Sequence, residues 1–192
     1  MATDFSATTF LDKMVSGGAL QSLFEATVNV PTGVTAPGDF NFMCKTTSFP
    51  ISTVEVTPVS YMGRSINIPG NREVQQWTTE CYNDESHQIR SALLGWMNFL
   101  NDYETNARKE TWTTTDKYTG TLTVSQFTKS AGSATNTVTF YDAWPSSIGE
   151  ISLDWETSEI QTFEVTWEFS YWNQSATGLA KKAEKKTPAP KT

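Results

Sequence analysis

Apolar and polar residues alternate almost without interruption near the carboxyl end of the chain. The stretch EIQTFEVTWEFSYW, residues 159–172, places five apolar side chains on one parity, namely Phe163, Val165, Trp167, Phe169 and Tyr171. This is the pattern of a β-strand with one dry face and one solvated face. The preceding stretch GEISLDWE, residues 149–156, repeats the alternation. The pattern therefore predicts two neighbouring strands.

Carboxylates occupy the polar parity of both predicted strands, and no Lys or Arg occurs between residues 149 and 172. These acids are Glu150, Asp154, Glu156, Glu164 and Glu168. Glu164 and Glu168 are four residues apart, which separates their Cα atoms by roughly 13 Å along a strand. Because that spacing is too wide for one catalytic pair, the pattern indicates a charged surface. Solubility would explain exposed acids, but it does not explain why cations are missing.

Shorter alternating stretches predict the remaining strands. They cover residues 24–30, 40–45, 52–60, 73–82, 120–128 and 135–144. The first two are predicted to form a hairpin with a long connection. Pro58 has no backbone N–H, so the second half of 52–60 is predicted to be an edge strand or to leave the sheet. Residues 61–73 carry turn residues around Ile66 and Ile68, and they predict a protruding hairpin.

One segment, residues 83–102, has a helical pattern. Asn83 or Asp84 is expected to cap it. An apolar stripe at spacings of three and four predicts that the helix packs on the sheet, and it comprises Ile89, Leu93, Trp96 or Met97, and Leu100. The fold class predicted is mainly β, a sandwich or partial barrel of antiparallel strands with one flanking α-helix. Residues 1–178 are expected to form a single domain with an N-terminal arm.

The net charge changes the range of functions to consider. The chain of 192 residues has a formal charge of −7, but its last fourteen residues, 179–192, carry five Lys and one Glu, a local +4. Residues 1–178 therefore hold −7 − 4 = −11. A body of this sign repels nucleic acid, which excludes an ordinary DNA-binding module. The Lys- and Pro-rich end is predicted to be a disordered tail, with a weak, salt-sensitive contact as the alternative.

Signatures of enzymes and cofactor sites are largely missing. The chain has one histidine, His87, which is expected on a helix surface, and no phosphate-binding or nucleophile motif. Cys44 and Cys81 lack metal-ligand spacing and predict buried reduced thiols, consistent with assembly in a cytoplasm. No leader-type segment and no run of 18 apolar residues is found. A carbohydrate-binding module or glycosidase is the alternative in a different class, since seven Trp suit sugar stacking.

Two segments, residues 57–90 and 143–172, carry a distinctive order of motifs. A Gly-Arg-x-Ile-x-x-x-Gly-x-Arg hairpin precedes a Trp-bearing strand that leads through Asn-Asp-Glu into a helix. Trp-Pro-x-x-Ile-Gly-Glu, Leu-Asp-Trp and Ile-Gln-Thr-Phe follow later in the chain. In this order the chain resembles the tail tube proteins of T-even-like contractile-tailed bacteriophages over residues 20–172. The Lys-rich end and the Thr-rich connection 112–120 depart from the family pattern.

The resemblance implies a structural subunit of the virion. Hexameric rings would stack into a tube inside a tail sheath, with baseplate and tube-terminator proteins at the ends. The inner sheets of six subunits would join into one β-barrel, through which genomic DNA passes during ejection without specific binding. The resemblance implies no cofactor, no membrane partner and no catalysis. A baseplate or tube-terminating protein of the same fold is the alternative within this class.

A tube subunit would explain the carboxylates on the polar faces of the two predicted strands. Cations on a tube wall would retain DNA through phosphate contacts, whereas carboxylates keep it mobile. The alternation therefore makes lumen candidates of Glu150, Asp154, Glu156, Glu164 and Glu168. The hairpin would supply contacts between subunits or rings, with candidates Tyr61, Arg64, Ile66, Ile68 and Arg72.

Overall fold

The computed structural model describes residues 6–14, 18–108, 114–129 and 134–176. The described residues form nine strands, β1 (Phe24–Asn29), β2 (Cys44–Thr47), β3 (Thr53–Tyr61), β4 (Arg64–Glu73), β5 (Trp77–Tyr82), β6 (Gly120–Phe127), β7 (Ala134–Ile148), β8 (Thr162–Glu168) and β9 (Tyr171–Ala176). They also form three α-helices, α1 (Ala7–Lys13), α2 (Phe40–Met43) and α3 (Gln88–Leu100). The Lys-rich segment 179–192 lies outside the described residues.

Seven strands form one antiparallel sheet in the order β1-β6-β7-β8-β5-β2, with β9 also paired to β7. The long strand β7 belongs to two halves of this sheet. Its first part pairs with β6 and β9, and its last part pairs with β8. We call β1, β6, β9 and the first part of β7 the first half, and β2, β5, β8 and the last part of β7 the second half. The predicted antiparallel, mainly β fold is confirmed.

The two halves enclose one aromatic core. Trp77 of the second half stacks on Phe140 of the first half, with ring centroids 4.6 Å apart. Trp167 lies between Phe40 and Trp96, at centroid distances of 6.2 and 5.9 Å. Because both halves turn their apolar faces to this core, their polar faces point away from each other. The domain is a sandwich made from one folded sheet.

Helix α3 covers the core as its apolar stripe predicts. Its buried residues are Ile89, Leu93, Trp96 and Leu100. The expected side-chain cap is displaced, because His87 occupies the N-cap position at φ 52° without a side-chain cap bond. The carboxylate of Asp84 instead accepts a hydrogen bond from the Gln88 N–H at 3.1 Å. The Ser86 hydroxyl donates to Asp84, which lowers the pKa of that carboxyl group.

The stretch 159–172 forms two strands rather than one. β8 and β9 follow each other along one side of β7, with Glu168 opposite Trp144 and Tyr171 opposite Tyr141. Between these pairs Asp142 adopts a left-handed backbone at φ 54°. The alternation between core-facing and solvent-facing side chains shifts by one residue there. Tyr171, predicted on the dry face, is therefore 54% exposed. Its ring stacks on Tyr141 at 4.7 Å instead.

The predicted strand at 149–156 is wrong. Residues 149–161 form a loop between β7 and β8, in which Trp155 is fully exposed and Leu153 is 81% exposed. The reason is that β8 already pairs with β5 on one side and β7 on the other, so this segment has no strand edge beside it. We call residues 149–161 the acidic loop, since they contain four carboxylates and no cation.

The predicted hairpin between residues 24–30 and 40–45 is also wrong. β1 pairs with β6 and β2 pairs with β5, so they occupy the two ends of the sheet. Part of the second stretch is the short helix α2, whose Phe40 is buried in the core. Helix α1 was not predicted either; the Ser6 side chain caps it by accepting a hydrogen bond from the Thr9 N–H. Local alternation identified β1 and β2, but long-range pairing decided their partners.

Candidate assembly surfaces

The hairpin β3–β4 stands apart from the main sheet. The two strands pair only with each other among the described residues. Met62 and Gly63 form a two-residue turn at φ 47° and 75°, between the opposed residues Tyr61 and Arg64. Positive φ at both positions is the geometry of a type I′ hairpin turn. The predicted protruding hairpin is confirmed, and it is longer than predicted because the stretch containing Pro58 forms its first arm.

One face of this hairpin is apolar and open to solvent. Val59 opposes Ile66, and Thr57 opposes Ile68, so these side chains share a face with Tyr61. The aliphatic members are 43–51% exposed, and Tyr61 is 64% exposed. A two-stranded hairpin alone in water is marginally stable, and exposed apolar patches of this kind mark interaction sites. The hairpin has the properties of a segment that contacts another molecule.

The two predicted hairpin cations have different surroundings. Arg64 is exposed beside the turn and makes no ion pair among the described residues. Arg72 lies near the base, where its Nη1 donates to the Ser52 hydroxyl at 2.8 Å. Arg64 is thus available to an acidic partner, whereas Arg72 also helps to anchor the hairpin.

The second half of the sheet carries carboxylates on its solvent face. Glu164 of β8 lies directly opposite Glu80 of β5. Glu168 lies further along the same face of β8 and accepts a hydrogen bond from Gln76 Nε2 at 2.5 Å. Lys45 is the extra residue of a bulge in β2, and its Nζ lies 2.8 Å from Glu80 Oε1. The bulge directs this cation onto the acidic face, a known effect of bulges.

Lys45 and Glu80 are each other's main electrostatic partner. The Lys45 ammonium donates to Glu80 and lowers the pKa of that carboxyl group, and the same contact raises the pKa of Lys45. The Thr46 hydroxyl also donates to Glu80, at 3.3 Å. Sequence reasoning missed both residues of the pair. Glu80 was detectable, because it falls on the polar parity of the predicted strand 73–82, but the contact with Lys45 depends on the bulge.

The first half of the sheet has a different solvent face. Its outward positions form cross-strand rows of hydroxyl and amide side chains with one carboxylate, and the two central rows are Glu25, Ser125, Thr137 and Ser175, and Thr27, Thr123, Thr139 and Asn173. Glu25 accepts a hydrogen bond from Asn41 at 3.1 Å. The two polar faces of the sandwich therefore differ in charge, and the face of the second half is the more acidic.

The acidic loop brings the other predicted lumen residues to a separate place. Glu150, Asp154 and Glu156 are exposed on this loop, not on a strand face. The loop is joined to α3 by a hydrogen bond from Arg90 Nη1 to the Gly149 carbonyl at 2.7 Å. Because these three carboxylates lie on a loop, strand alternation does not place them on a sheet face. Glu164 and Glu168 do lie on the solvent face of β8, as alternation predicts.

The cysteines and the histidine have structural surroundings. Cys44 and Cys81 oppose each other across β2 and β5. Both side chains are buried, and no disulfide joins them. The hydrogen bond to Cys44 and burial raise the pKa of Cys81. His87 Nδ1 lies 2.9 Å from Asn83 Nδ2 on the surface. The described residues contain no group of three or more His, Cys, Asp and Glu placed to hold a metal ion.

The described part of the chain thus combines a protruding apolar hairpin, an acidic sheet face and an exposed acidic loop, an arrangement typical of a subunit that assembles with other chains.

A phage tail tube protein family model matches residues 9–175. The tail tube protein gp19 of Enterobacteria phage T4 is 35% identical over 135 residues, which is 70% of this chain and 81% of that protein. The gp19 protein of phage T6 is 36% identical over the same shares.

Solved structures agree on the fold. A chain of the anti-feeding prophage baseplate, solved with sixfold symmetrisation, superposes with a TM-score of 0.63 at 12% identity, covering 84% of this chain and 97% of that one. A chain of the sheath-tube complex of the extracellular contractile injection system PVC gives a TM-score of 0.59 at 16% identity, covering 91% and 99%.

The chain belongs to the phage tail tube protein family, and it is a structural protein of the virion. Its relatives are structural tail tube proteins rather than enzymes. Among the described residues, no helix combines the length and apolar character needed to cross a membrane.

Proposed function

We propose that this protein forms hexameric rings that stack into the inner tube of a contractile phage tail, and that the solvent face of the second half lines a DNA-conducting lumen. The observation that carries the proposal is the charge of that face. It bears Glu80, Glu164 and Glu168 against Lys45 alone among the described residues, a formal −3 + 1 = −2 for each subunit. A sixfold ring would repeat this charge six times.

The single cation supports this assignment. A free Lys on a tube wall would bind phosphate, and each such contact steepens the salt dependence of DNA binding by about 0.9 of a unit in log K. Lys45 is held by Glu80 and lies 5.8 Å from the centre of the Tyr82 ring. Its charge is thereby compensated within the subunit. The face offers DNA a hydrated, net repelling surface.

The edges of the second half support ring closure. β2 is a terminal strand of the sheet, and no described strand pairs with the second side of residues 144–148 of β7. Unpaired edges are templates for strands of another chain. Joining β2 of one subunit to β7 of the next would place four strands per subunit in a continuous barrel. The first half would then face outward, with its hydroxyl-rich rows toward the tail sheath.

The hairpin supplies the contact between rings in this proposal. Its face with Val59, Tyr61, Ile66 and Ile68 is exposed in the isolated subunit, and Arg64 at its turn is unpaired among the described residues. Baseplate and tube-terminator proteins are the expected partners at the two ends of the tube. Solved baseplate and tube-terminating cap chains share this fold, with TM-scores of 0.63 and 0.60. A role as such an end protein is therefore the second candidate.

The carbohydrate-binding alternative loses support from the positions of the tryptophans. Trp77, Trp96 and Trp167 are buried in the core. Sugar stacking needs aromatic faces that a ligand can reach, and among the described tryptophans only Trp155 is fully exposed. The indole groups of Trp77 and Trp167 are instead committed to hydrogen bonds with the Ser48 carbonyl and the Thr79 hydroxyl.

Electron microscopy of the purified full chain tests the proposal. The protein is expected to form rings at moderate concentration and tubes at high concentration, without added metal or nucleotide. Analytical ultracentrifugation that finds only monomers across protein and salt concentrations would contradict it. Rings that never stack would favour the end-protein candidate instead.

A further inference from the structure

The hairpin and the acidic loop leave opposite ends of the second half of the sheet. In the pairing of β5 with β8, Trp77 opposes Trp167 and Tyr82 opposes Thr162. The hairpin joins the end of β2 to the start of β5, so it lies at the Trp77 end. The acidic loop runs into Thr162, so it lies at the Tyr82 end. The six residues of β5 separate the two ends by about 17 Å at the rise of a strand.

The acidic loop is itself an unusual surface. Its carboxylates are Glu150, Asp154, Glu156 and Glu159, and it contains no cation. Its apolar side chains Leu153 and Ile160 are 81% and 71% exposed, and Trp155 is fully exposed. A loop that exposes large apolar side chains beside uncompensated carboxylates is suited to bind an apolar surface with a positive charge.

The outer part of the hairpin has the complementary character. Residues 57–68 contain one charged residue, Arg64, and no acid. This cation lies on the same face as Val59 and Ile66, because Tyr61 opposes Arg64 in the strand register. The surface that the acidic loop requires therefore occurs at the other end of the same subunit.

We infer that the acidic loop of one subunit is the receptor for the hairpin of a subunit in the neighbouring ring. Arg64 contacts the carboxylates around Asp154 and Glu156, and the apolar hairpin face covers Leu153 and Trp155. Two unlike surfaces at opposite ends form a heterologous contact, which repeats without closing and builds an open stack. The inference rests on the proposed tube function and moves Glu150, Asp154 and Glu156 from the lumen wall to the interface between rings.

A charge-exchange experiment tests this pairing. The variant R64E has an acidic hairpin and an acidic loop. The variant D154K/E156K keeps the basic hairpin and presents Lys at both positions of the inferred Arg64 contact, although the loop as a whole is then neutral, −2 + 2 = 0. Each alone is expected to form rings while the fraction that pellets as tubes falls about tenfold or more, because like charges then meet at the interface. In an equal mixture the hairpin of each variant can contact residues 154 and 156 of the other variant, which carry the opposite charge. Alternating tubes should therefore form from two variants that do not stack alone.

The control is E104K, a reversal at an exposed acid outside the acidic loop, which should stack like the wild type. Tubes formed by D154K/E156K alone, or no tubes from the mixture, would overturn the inference while leaving the tube function intact if wild-type tubes form. Wild-type protein that never assembles would instead contradict the proposed function. These readings require that each variant still forms rings by electron microscopy.

A cysteine pair gives a second measurement that introduces no charged residue. In tubes of the variant I66C/L153C, mild oxidation is expected to link subunits of adjacent rings into covalent multimers on a non-reducing gel. The pair I66C/T105C serves as the control, since Thr105 is exposed outside the acidic loop. Tubes that show no more cross-linking than the control would overturn the inference even if the charge variants failed to assemble.

Discussion

Glu164 and Glu80 lie directly opposite each other on the solvent face of β8 and β5. Like charges in this position destabilise a strand pair. One of the two is partly compensated, because Lys45 Nζ lies 2.8 Å from Glu80 Oε1. Glu164 makes no ion pair among the described residues. A sheet face that retains such a pair is explained by a requirement for negative charge, and the proposed lumen supplies that requirement.

The first prediction concerns transport through the tube. Replacing Glu164 and Glu168 with Lys would add two cations to each subunit, or twelve to each sixfold ring, and a wall that repels DNA would bind phosphate instead. Virions are expected to have tails of normal length and to eject DNA slowly or incompletely, with recovery as salt rises. An ejection assay across ionic strength measures this.

The matched control is the double replacement of Glu164 and Glu168 by Gln, which removes charge without adding cations. Tubes should form, and stability should change by about 0.5 kcal/mol or less, as for most exposed substitutions. Normal ejection by the Lys variant at low salt, from tubes shown to contain it, would mean that this face does not line the lumen.

The second prediction concerns the titration of Glu80. Its pKa is lowered by the hydrogen bond from Lys45, so its favourable interaction is present at neutral pH and is lost as the pH falls through the folded-state pKa. In K45M the pKa of Glu80 is expected to rise, because the cation is gone and Glu164 remains opposite. NMR titration of the Glu80 carboxyl carbon in K45M and in the wild type measures this. An unchanged Glu80 titration would show that the ion pair does not persist in solution.

The third prediction concerns the hairpin. Reversal of Arg64 and Arg72 to Glu is expected to leave the β-sheet spectrum in circular dichroism intact, because β3 and β4 pair only with each other among the described residues. Stacking should be lost, because glutamates on the hairpin would lie against the carboxylates of the acidic loop. K117E reverses an exposed cation outside the hairpin and should stack normally. Normal tubes from the double reversal, seen by electron microscopy, would remove the hairpin from the interface.

The fourth prediction compares two glycines. A Cβ on Gly120 would lie 2.3 Å from the Asn29 carbonyl and 2.7 Å from the Trp96 ring, so G120A is expected to destabilise the domain by about 2 kcal/mol or more. A Cβ on Gly95 in α3 would meet nothing within 4 Å, so G95A is expected to stabilise by roughly 0.5–1 kcal/mol. Denaturant unfolding of both variants measures this. If G120A unfolds at the same denaturant concentration as the wild type, the contact between β6 and α3 tolerates a methyl group.

The sequence by itself determined the elements whose partners are local. The alternation through Phe163, Val165 and Trp167 predicted a half-buried strand, and these residues are buried in β8. The stripe containing Leu93 and Trp96 predicted the buried face of α3. The turn residues around Gly63 predicted the hairpin. In each case the periodicity of one element, or the geometry of one turn, is sufficient information.

Only the tertiary structure decided what depends on the arrangement of distant strands. The alternation in 149–156 matched that of a strand, yet both edges of β8 were already paired, and Trp155 was left exposed. The parity change at Asp142 exposed Tyr171, and the bulge in β2 brought Lys45 to Glu80. The alternation of side chains along a strand shows which residues lie on each of its two faces. Pairing register and backbone irregularities specify which neighbour each face meets, and these are set by long-range contacts.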